Sequence, residues 1–279
     1  MLLWSPLKDT QNGGIHLTEP INTVLNKKNK NLKEVYLAYF DYLGFKGFIE
    51  NNDDEVLMRR MGHIFRDIEK ALGQGKYKEP QNGMILSDLS DSRVNCLNIS
   101  DTVLFWTNQC NYESLTKLIK VAYEFNWLQI LYNFPIRGSI VKGKIRLVSG
   151  KQTNSNGGSY SVQCLYGKGL IKAHDKAEYQ NWAGTVIDES IISDLEQNPS
   201  GMDFLSEYAI KYNVPYKSAI GLEEEYVLKV VKGISNETAL KNTKESVTGV
   251  FALDNKTIEP TSVKLKIENT LKFIEFLAE

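Results

Sequence analysis

An α+β fold is what this sequence predicts, and three observations predict it. Runs rich in aliphatic and aromatic residues, Glu34–Tyr42, Arg93–Ile99, Thr102–Thr107 and Ile136–Lys142, have the length and composition of strands. Between them lie two stretches with apolar residues at three- and four-residue steps, as on one face of a helix. Their order is β-α-β-β-α-β, the ferredoxin-like unit, in which the first and third strands are antiparallel neighbours.

Residues 1–31 are polar and close on Asn-Lys-Lys-Asn-Lys-Asn, which reads as an extension. In the first helix Leu57, Met61, Ile64, Ile68 and Leu72 form the apolar face; Asn52 or Asp53 caps its start and Gly73 suits its end. Gly73 to Ser92 holds Gly, Pro and Asn and reads as a loop. The second and third strands join at Ser100-Asp101, a tight hairpin, and Leu115, Leu118, Ile119 and Ala122 mark the second helix. Pro135 precedes the fourth strand, which runs into Gly143. Beyond this unit the pattern gives a polar hairpin tip at Gly150–Gly158, a strand at Ser159–Leu165 and a helix at Lys168–Tyr179. A strand at Thr185–Ile187, helices at Asp188–Glu196 and Met202–Tyr212, a strand at Tyr226–Val231 and a closing helix at Lys266–Leu277 follow. The division expected is an extension at 1–32, a core at 33–200, and at 201–279 an addition of helices and a strand packed on the same domain.

Composition excludes several classes. Lys+Arg is 33 against Asp+Glu 34, so no basic field advertises nucleic-acid binding. The 3 cysteines, Cys96, Cys110 and Cys164, are odd in number and widely spaced, which fits a reducing compartment and neither a disulfide framework nor a zinc site. The first residues lack the pattern of a signal peptide, and no apolar run approaches the ~18 residues of a membrane span. A cytoplasmic protein without membrane contact is the expectation.

Asp41 ends the first strand and Asp101 opens the third. A carboxylate at the end of an apolar strand is desolvated and needs a cation to share it. If the first and third strands are antiparallel neighbours, the two carboxylates stand side by side, and a pair of hard oxygen donors suits magnesium or manganese. Taken singly, Asp41 reads as a loop or cap residue and Asp101 as a turn residue; the adjacency puts metal binding ahead.

At this point the sequence resembles a family. Phe40-Asp41-Tyr-Leu-Gly44-Phe45 is similar to the F-x-D-x-x-G-F segment of class III nucleotidyl cyclases, with the aspartate one residue nearer the phenylalanine. Asp101 stands where those enzymes carry a second metal-binding Asp, and Arg137-Gly-Ser-Ile140-Val-Lys-Gly143 resembles their R-x-G-I-x-x-G strand. Gly167, Leu170 and Ala173 follow a helix pattern closest to the bacterial anti-phage pyrimidine cyclases of Pycsar defence, G-x-A-L-x-x-A-Y-x-L-E, with Gly169 in place of the alanine, His174 in place of the tyrosine and Glu178, one residue further on, keeping the terminal Glu. The resemblance spans roughly residues 33 to 190.

The resemblance implies a ferredoxin-like βαββαβ core of the class III cyclase type with C-terminal additions. It implies conversion of a pyrimidine nucleoside triphosphate to the 3′,5′-cyclic monophosphate and pyrophosphate by a two-metal mechanism, with Asp41 and Asp101 as catalytic metal ligands for Mg2+ or Mn2+. It further implies a homodimer whose composite sites take the aspartates from one protomer and the substrate contacts from the other, and a separately encoded effector that senses the product. Purine cyclases carry an Asn and an Arg on the last helix; Ile171 and Asp175 stand there, so positive charge must come from elsewhere. Arg93, Arg137, Lys168 and His174 are the substrate-binding candidates, Lys142 and Lys172 further nearby cations, and Arg137 is expected from the opposite protomer. Arg93 and His174 can both donate to uracil carbonyls, which favours UTP over CTP. Arg93 rests only on lying on the strand that leads to Asp101, and the other three have plainer readings: a solvated face for Lys168, a structural strand-end arginine for Arg137, a half-buried helix residue for His174. Two other functions stand beside this one, a catalytically silent nucleotide-binding homologue and a ferredoxin-like RNA-binding module. The near-neutral charge and the lack of paired strand aromatics count against the last.

Overall fold

The structure, a computed structural model, describes residues 32–279 apart from 81–84, 154–156, 218–220 and 232, and of residues 151–153 the backbone alone. Of the expected extension at 1–32 only Leu32 is described. The fold is α+β. Strands β1 (Lys33–Tyr42), β2 (Val94–Ile99), β3 (Thr102–Thr107) and β4 (Ile136–Thr153) alternate with helices α1 (Phe45–Glu50), α2 (Asp54–Gly73) and α3 (Tyr112–Leu128), and a π-helical turn at Gln129–Asn133 leads into β4. There follow β5 (Ser159–Tyr166), α4 (Lys168–Glu178), β6 (Gly184–Ile187), α5 (Glu189–Glu196), α6 (Gly201–Tyr208), β7 (Ala209–Pro215), β8 (Leu222–Leu228), α7 (Glu237–Ala252) and α8 (Thr261–Phe276).

The main sheet runs β2-β3-β1-β4-β6-β8-β7, with β5 paired to β4 off this path. Its first four strands have the ferredoxin-like order, and β1 lies antiparallel between β3 and β4 as that order requires. β6 joins β4 in parallel and β8 and β7 continue the sheet antiparallel, so the same sheet and one apolar cluster reach from Phe40 and Phe105 to Val227 and Phe273.

Alternation along β1 assigns its two faces. Tyr36, Ala38, Phe40 and Tyr42 pack with α2, α3 and the Phe125 and Phe134 rings. Val35, Leu37 and Tyr39 pack with Leu104, Trp106, Val141 and the α4 residues Ala173 and Ala177. By the period of two, Asp41 falls on the face that α4 covers.

Helix α4 begins where glycine is required. Gly167 has φ +145°, and a Cβ there would stand 2.3 Å from the Lys144 carbonyl oxygen. A Cβ on Gly143 would lie 2.5 Å from the Gly169 Cα. Gly169, which replaces an alanine of the resembling pattern, is therefore where helix and strand backbones touch.

Several expectations need correction. The periodicity at Met202–Tyr212 spans two elements: α6 stops at Tyr208, and Ala209 onward pairs with β8, burying Ala209 and Val214. The late strand is Leu222–Leu228 rather than Tyr226–Val231. β4 extends to Thr153, so Gly150–Thr153 is strand and the hairpin tip is shorter, with 154–156 outside the described residues. In α2 the Asp53 side chain caps the Val56 N–H, whereas Gly73 is the last helical residue and Gln74 takes the left-handed turn. The pattern missed α1 and α7; the latter carries only Val247, Val250 and Phe251 as fully buried apolar residues among Thr and Lys.

Candidate functional site

The register of β1 brings the two aspartates together. Asp41 pairs with Thr102 on β3 and with Arg137 on β4, and the Tyr42 N–H donates to the Asp101 carbonyl at 2.9 Å. Ser100 turns β2 into β3 with φ 54°. The two carboxylate-bearing residues thus share one end of the sheet.

The Asp41 side chain is 16% exposed, and the Nε of Arg137, itself 12% exposed, donates to Asp41 Oδ2 at 2.8 Å. Arg137 Nη1 donates to the Glu178 carbonyl at the end of α4 at 3.1 Å, and Nη2 pairs with Glu178 Oε2. The other carboxylate oxygen of Glu178 accepts from Lys217 Nζ at 2.5 Å. A chain of alternating charge, Asp41–Arg137–Glu178–Lys217, therefore runs along this end of the molecule. Burial pushes the Asp41 carboxyl up; Arg137 opposes this without cancelling it, and the charges of Asp101 and Glu178 add to the rise. Burial would also raise Glu178, but the Lys217 hydrogen bond and the Arg137 charge outweigh it and hold that carboxyl below its ordinary range.

A third cation approaches from α8. That helix is docked by Asn269 donating to the Asn181 carbonyl at 2.9 Å and by the Ala183 N–H donating to Thr270 Oγ1 at 2.8 Å. Lys266, one turn earlier, is lowered by burial and by the neighbouring charges of Arg137 and Lys217. Sequence reasoning missed Lys217 and Lys266 and took Glu178 only as a motif residue. Lys217 is 80 positions from Arg137 (217 − 137) and no motif links them, so only the sheet extension reveals the cluster.

The other candidates disperse. Arg93 lies at the opposite end of β2 from Asp101, about 20 Å away at strand rise, and its guanidinium is 3.2 Å from Glu113. Within one chain Arg93 therefore stands at the start of β2, while Asp101 follows its finish. Lys168 is exposed at the first residue of α4, about 15 Å along the helix from Glu178. His174, 52% exposed and one turn before Glu178, sets its ring edge-on to Tyr39 with centroids 5.7 Å apart and lies 3.1 Å from Asp175. Arg137, expected to reach in from an opposite protomer, here binds the Asp41 of its own chain. Lys142 is held by Asp194 at 2.8 Å and Lys172 by Asp188 at 2.7 Å. Ile171 and Asp175 point to solvent, and Trp106 and Trp182 are buried in the core.

Among the described residues no group of three or more His, Cys, Asp or Glu side chains is arranged to hold a metal ion. Magnesium, however, is commonly held by one or two carboxylates with water and substrate phosphates completing the shell. Two neighbouring carboxylates at a half-buried sheet end fit a donor set of that kind.

No protein-family model and no curated protein sequence matches this chain. It is similar to solved chains of low identity. One is the guanylyl cyclase domain of the RhoGC fusion protein from the aquatic fungus Blastocladiella emersonii, 13% identical, covering 72% of this chain and 98% of that one, with TM-score 0.47. Another is the guanylate cyclase domain of RhGC from Catenaria anguillulae, 12% identical, covering 72% and 98%, with TM-score 0.46. A third is the adenylyl cyclase CyaB from P. aeruginosa, 10% identical, covering 71% and 94%, with TM-score 0.40. Similarity of this degree leaves substrate and mechanism to the chain's own residues. No described helix is long and apolar enough to cross a membrane.

Proposed function

We propose that this chain is a nucleotidyl cyclase that converts a pyrimidine nucleoside triphosphate, UTP before CTP, to the 3′,5′-cyclic monophosphate and pyrophosphate. The observation that carries the reading is the meeting of Asp41 and Asp101 at one end of the sheet beside Arg137. Motifs resembling those of pyrimidine cyclases in anti-phage defence supply the base preference, the second-messenger role and the separate effector.

Asp41 and Asp101 would hold Mg2+ or Mn2+, two per site. Bound there, the ions would lower the pKa of the attacking ribose hydroxyl and neutralise the leaving pyrophosphate. Arg137 is the cation beside Asp41 and would supply positive charge to a phosphate once its carboxylate partners, Asp41 and Glu178, are engaged elsewhere. His174 and Lys168, on the exposed side of α4, are the groups a second protomer would receive in a homodimer with composite sites. Residues 33–200 would form the catalytic domain, with 201–279 supplying Lys217 and Lys266.

A silent nucleotide-binding homologue is the second reading, favoured by the ion pair that already neutralises Asp41 and by the solvent-facing Ile171 and Asp175. Pyrophosphate release from each of the four triphosphates with Mn2+ decides between them. Turnover that Asp41→Asn and Asp101→Asn both remove supports the cyclase; binding without turnover supports the silent homologue.

A further inference from the structure

The two oxygens of Glu178 are used by two different cations: Oε2 by Arg137 Nη2 and Oε1 by Lys217 Nζ at 2.5 Å. Such a bridging carboxylate holds the place that a phosphate would hold between an arginine fork and an ammonium. Glu178 closes α4, and its side chain is 39% exposed while that of Lys217 is 42% exposed, so solvent reaches the pair from outside. Arg137, by contrast, is only 12% exposed and lies between two anions, Asp41 and Glu178, with all three of its nitrogens engaged by them.

We propose that Glu178 is an internal competitor for anions, occupying the Arg137–Lys217 pair and keeping a polyphosphate-binding position shut until it is displaced. The ligand class is a polyphosphate chain, recognised by charge and by the fork of Arg137. This rests on the reading of the site as one for a nucleoside triphosphate, but the device needs neither metal nor turnover to be seen. An incoming polyphosphate exchanges places with the carboxylate: Glu178 turns outward to water, and the guanidinium and ammonium close on the phosphate oxygens. Binding is therefore weakened by the free energy that holds Glu178 in place, as for any ligand that selects a minor conformer.

The test is calorimetric binding of inorganic triphosphate to the full chain in EDTA. Glu178→Gln keeps the size of the side chain and removes its charge, and should tighten binding about tenfold or more, the worth of a charge-assisted hydrogen bond. Glu178→Asp keeps the charge but is too short to span both cations, and should give an intermediate gain. Lys217→Met on the Glu178→Gln background should cancel the gain. Unchanged or weaker binding in Glu178→Gln, or wild-type affinity in Glu178→Asp, overturns the proposal. Tighter triphosphate binding without nucleotide turnover leaves this inference standing and removes the cyclase reading; turnover without tighter binding does the reverse.

Discussion

Replacing Gly143 by alanine tests the contact that positions α4 over the candidate site. The new Cβ would lie 2.5 Å from the Gly169 Cα and 3.3 Å from its nitrogen, and both are backbone atoms that no rotamer change can move. Ordinary carbon contacts begin near ~3.5 Å, so helix and strand must part by about 1 Å. Overpacking of that kind costs about 1–3 kcal/mol, and the upper half of the range is expected because backbone meets backbone. Gly169→Ala meets the same surface from the other side, its Cβ 2.9 Å from the Gly143 carbonyl carbon, and should cost somewhat less. Once one methyl has parted the two elements, the second enters space already opened. The double variant should therefore lose clearly less than the sum of the singles. Urea denaturation of the wild type, the two single variants and the double variant reads all four free energies. A Gly143→Ala protein within about 0.5 kcal/mol of the wild type, the range of an ordinary surface change, refutes the reasoning.

Arg137→Met should cost about 3 kcal/mol, because it leaves the largely buried Asp41 carboxylate without its cation, and Asp41→Asn on that background should restore much of the loss; a purely additive double variant in denaturant unfolding contradicts this. Lys256 is buried with its ammonium 4.1 Å from the Phe134 ring centre, and burial lowers its pKa from 10.5 to about 8. The unfolded chain therefore binds more protons than the folded one between those two values, so stability rises with pH across that window, by up to about 3 kcal/mol. Unfolding curves of the wild type and Lys256→Met over the same pH range should differ by this rise, and parallel profiles contradict it. Mixing Asp41→Ala with Arg137→Ala protein should restore no nucleotide turnover, since the two residues meet within one protomer and every site then keeps one defect; recovered activity would return Arg137 to the partner.

The legible part of this fold is the part whose signals are local. β1, β3 and the α2 face announce themselves by period and composition, and from their order alone follows the neighbourhood of Asp41 and Asp101. The fate of Arg137 was not legible, because a strand-end arginine reads the same whether it faces a ligand or a carboxylate. Arg93 opens the strand that leads to Asp101, and at strand rise its eight-residue lead (101 − 93) puts the two at opposite ends within one chain. The Met202–Tyr212 segment reads as one helix because an amphipathic helix running straight into a strand keeps apolar residues coming without a turn signal between them. Lys217 and Lys266 were beyond sequence reasoning, since their place beside Glu178 depends on β7, β8 and α8 joining the sheet and its core. Gly169 lay between these cases: it was visible as a departure from a pattern, and its contact with Gly143 supplies the reason.

The most direct test of the central claim is competition. The full chain is incubated with an equimolar mixture of UTP, CTP, ATP and GTP and Mn2+, and the products are identified by mass spectrometry beside an Asp41→Asn control. The account predicts a 3′,5′-cyclic pyrimidine monophosphate, with cyclic UMP ahead of cyclic CMP, in the wild type and none in the control. A predominance of cyclic AMP or cyclic GMP would contradict the base preference, and the absence of any cyclic nucleotide would contradict the cyclase itself.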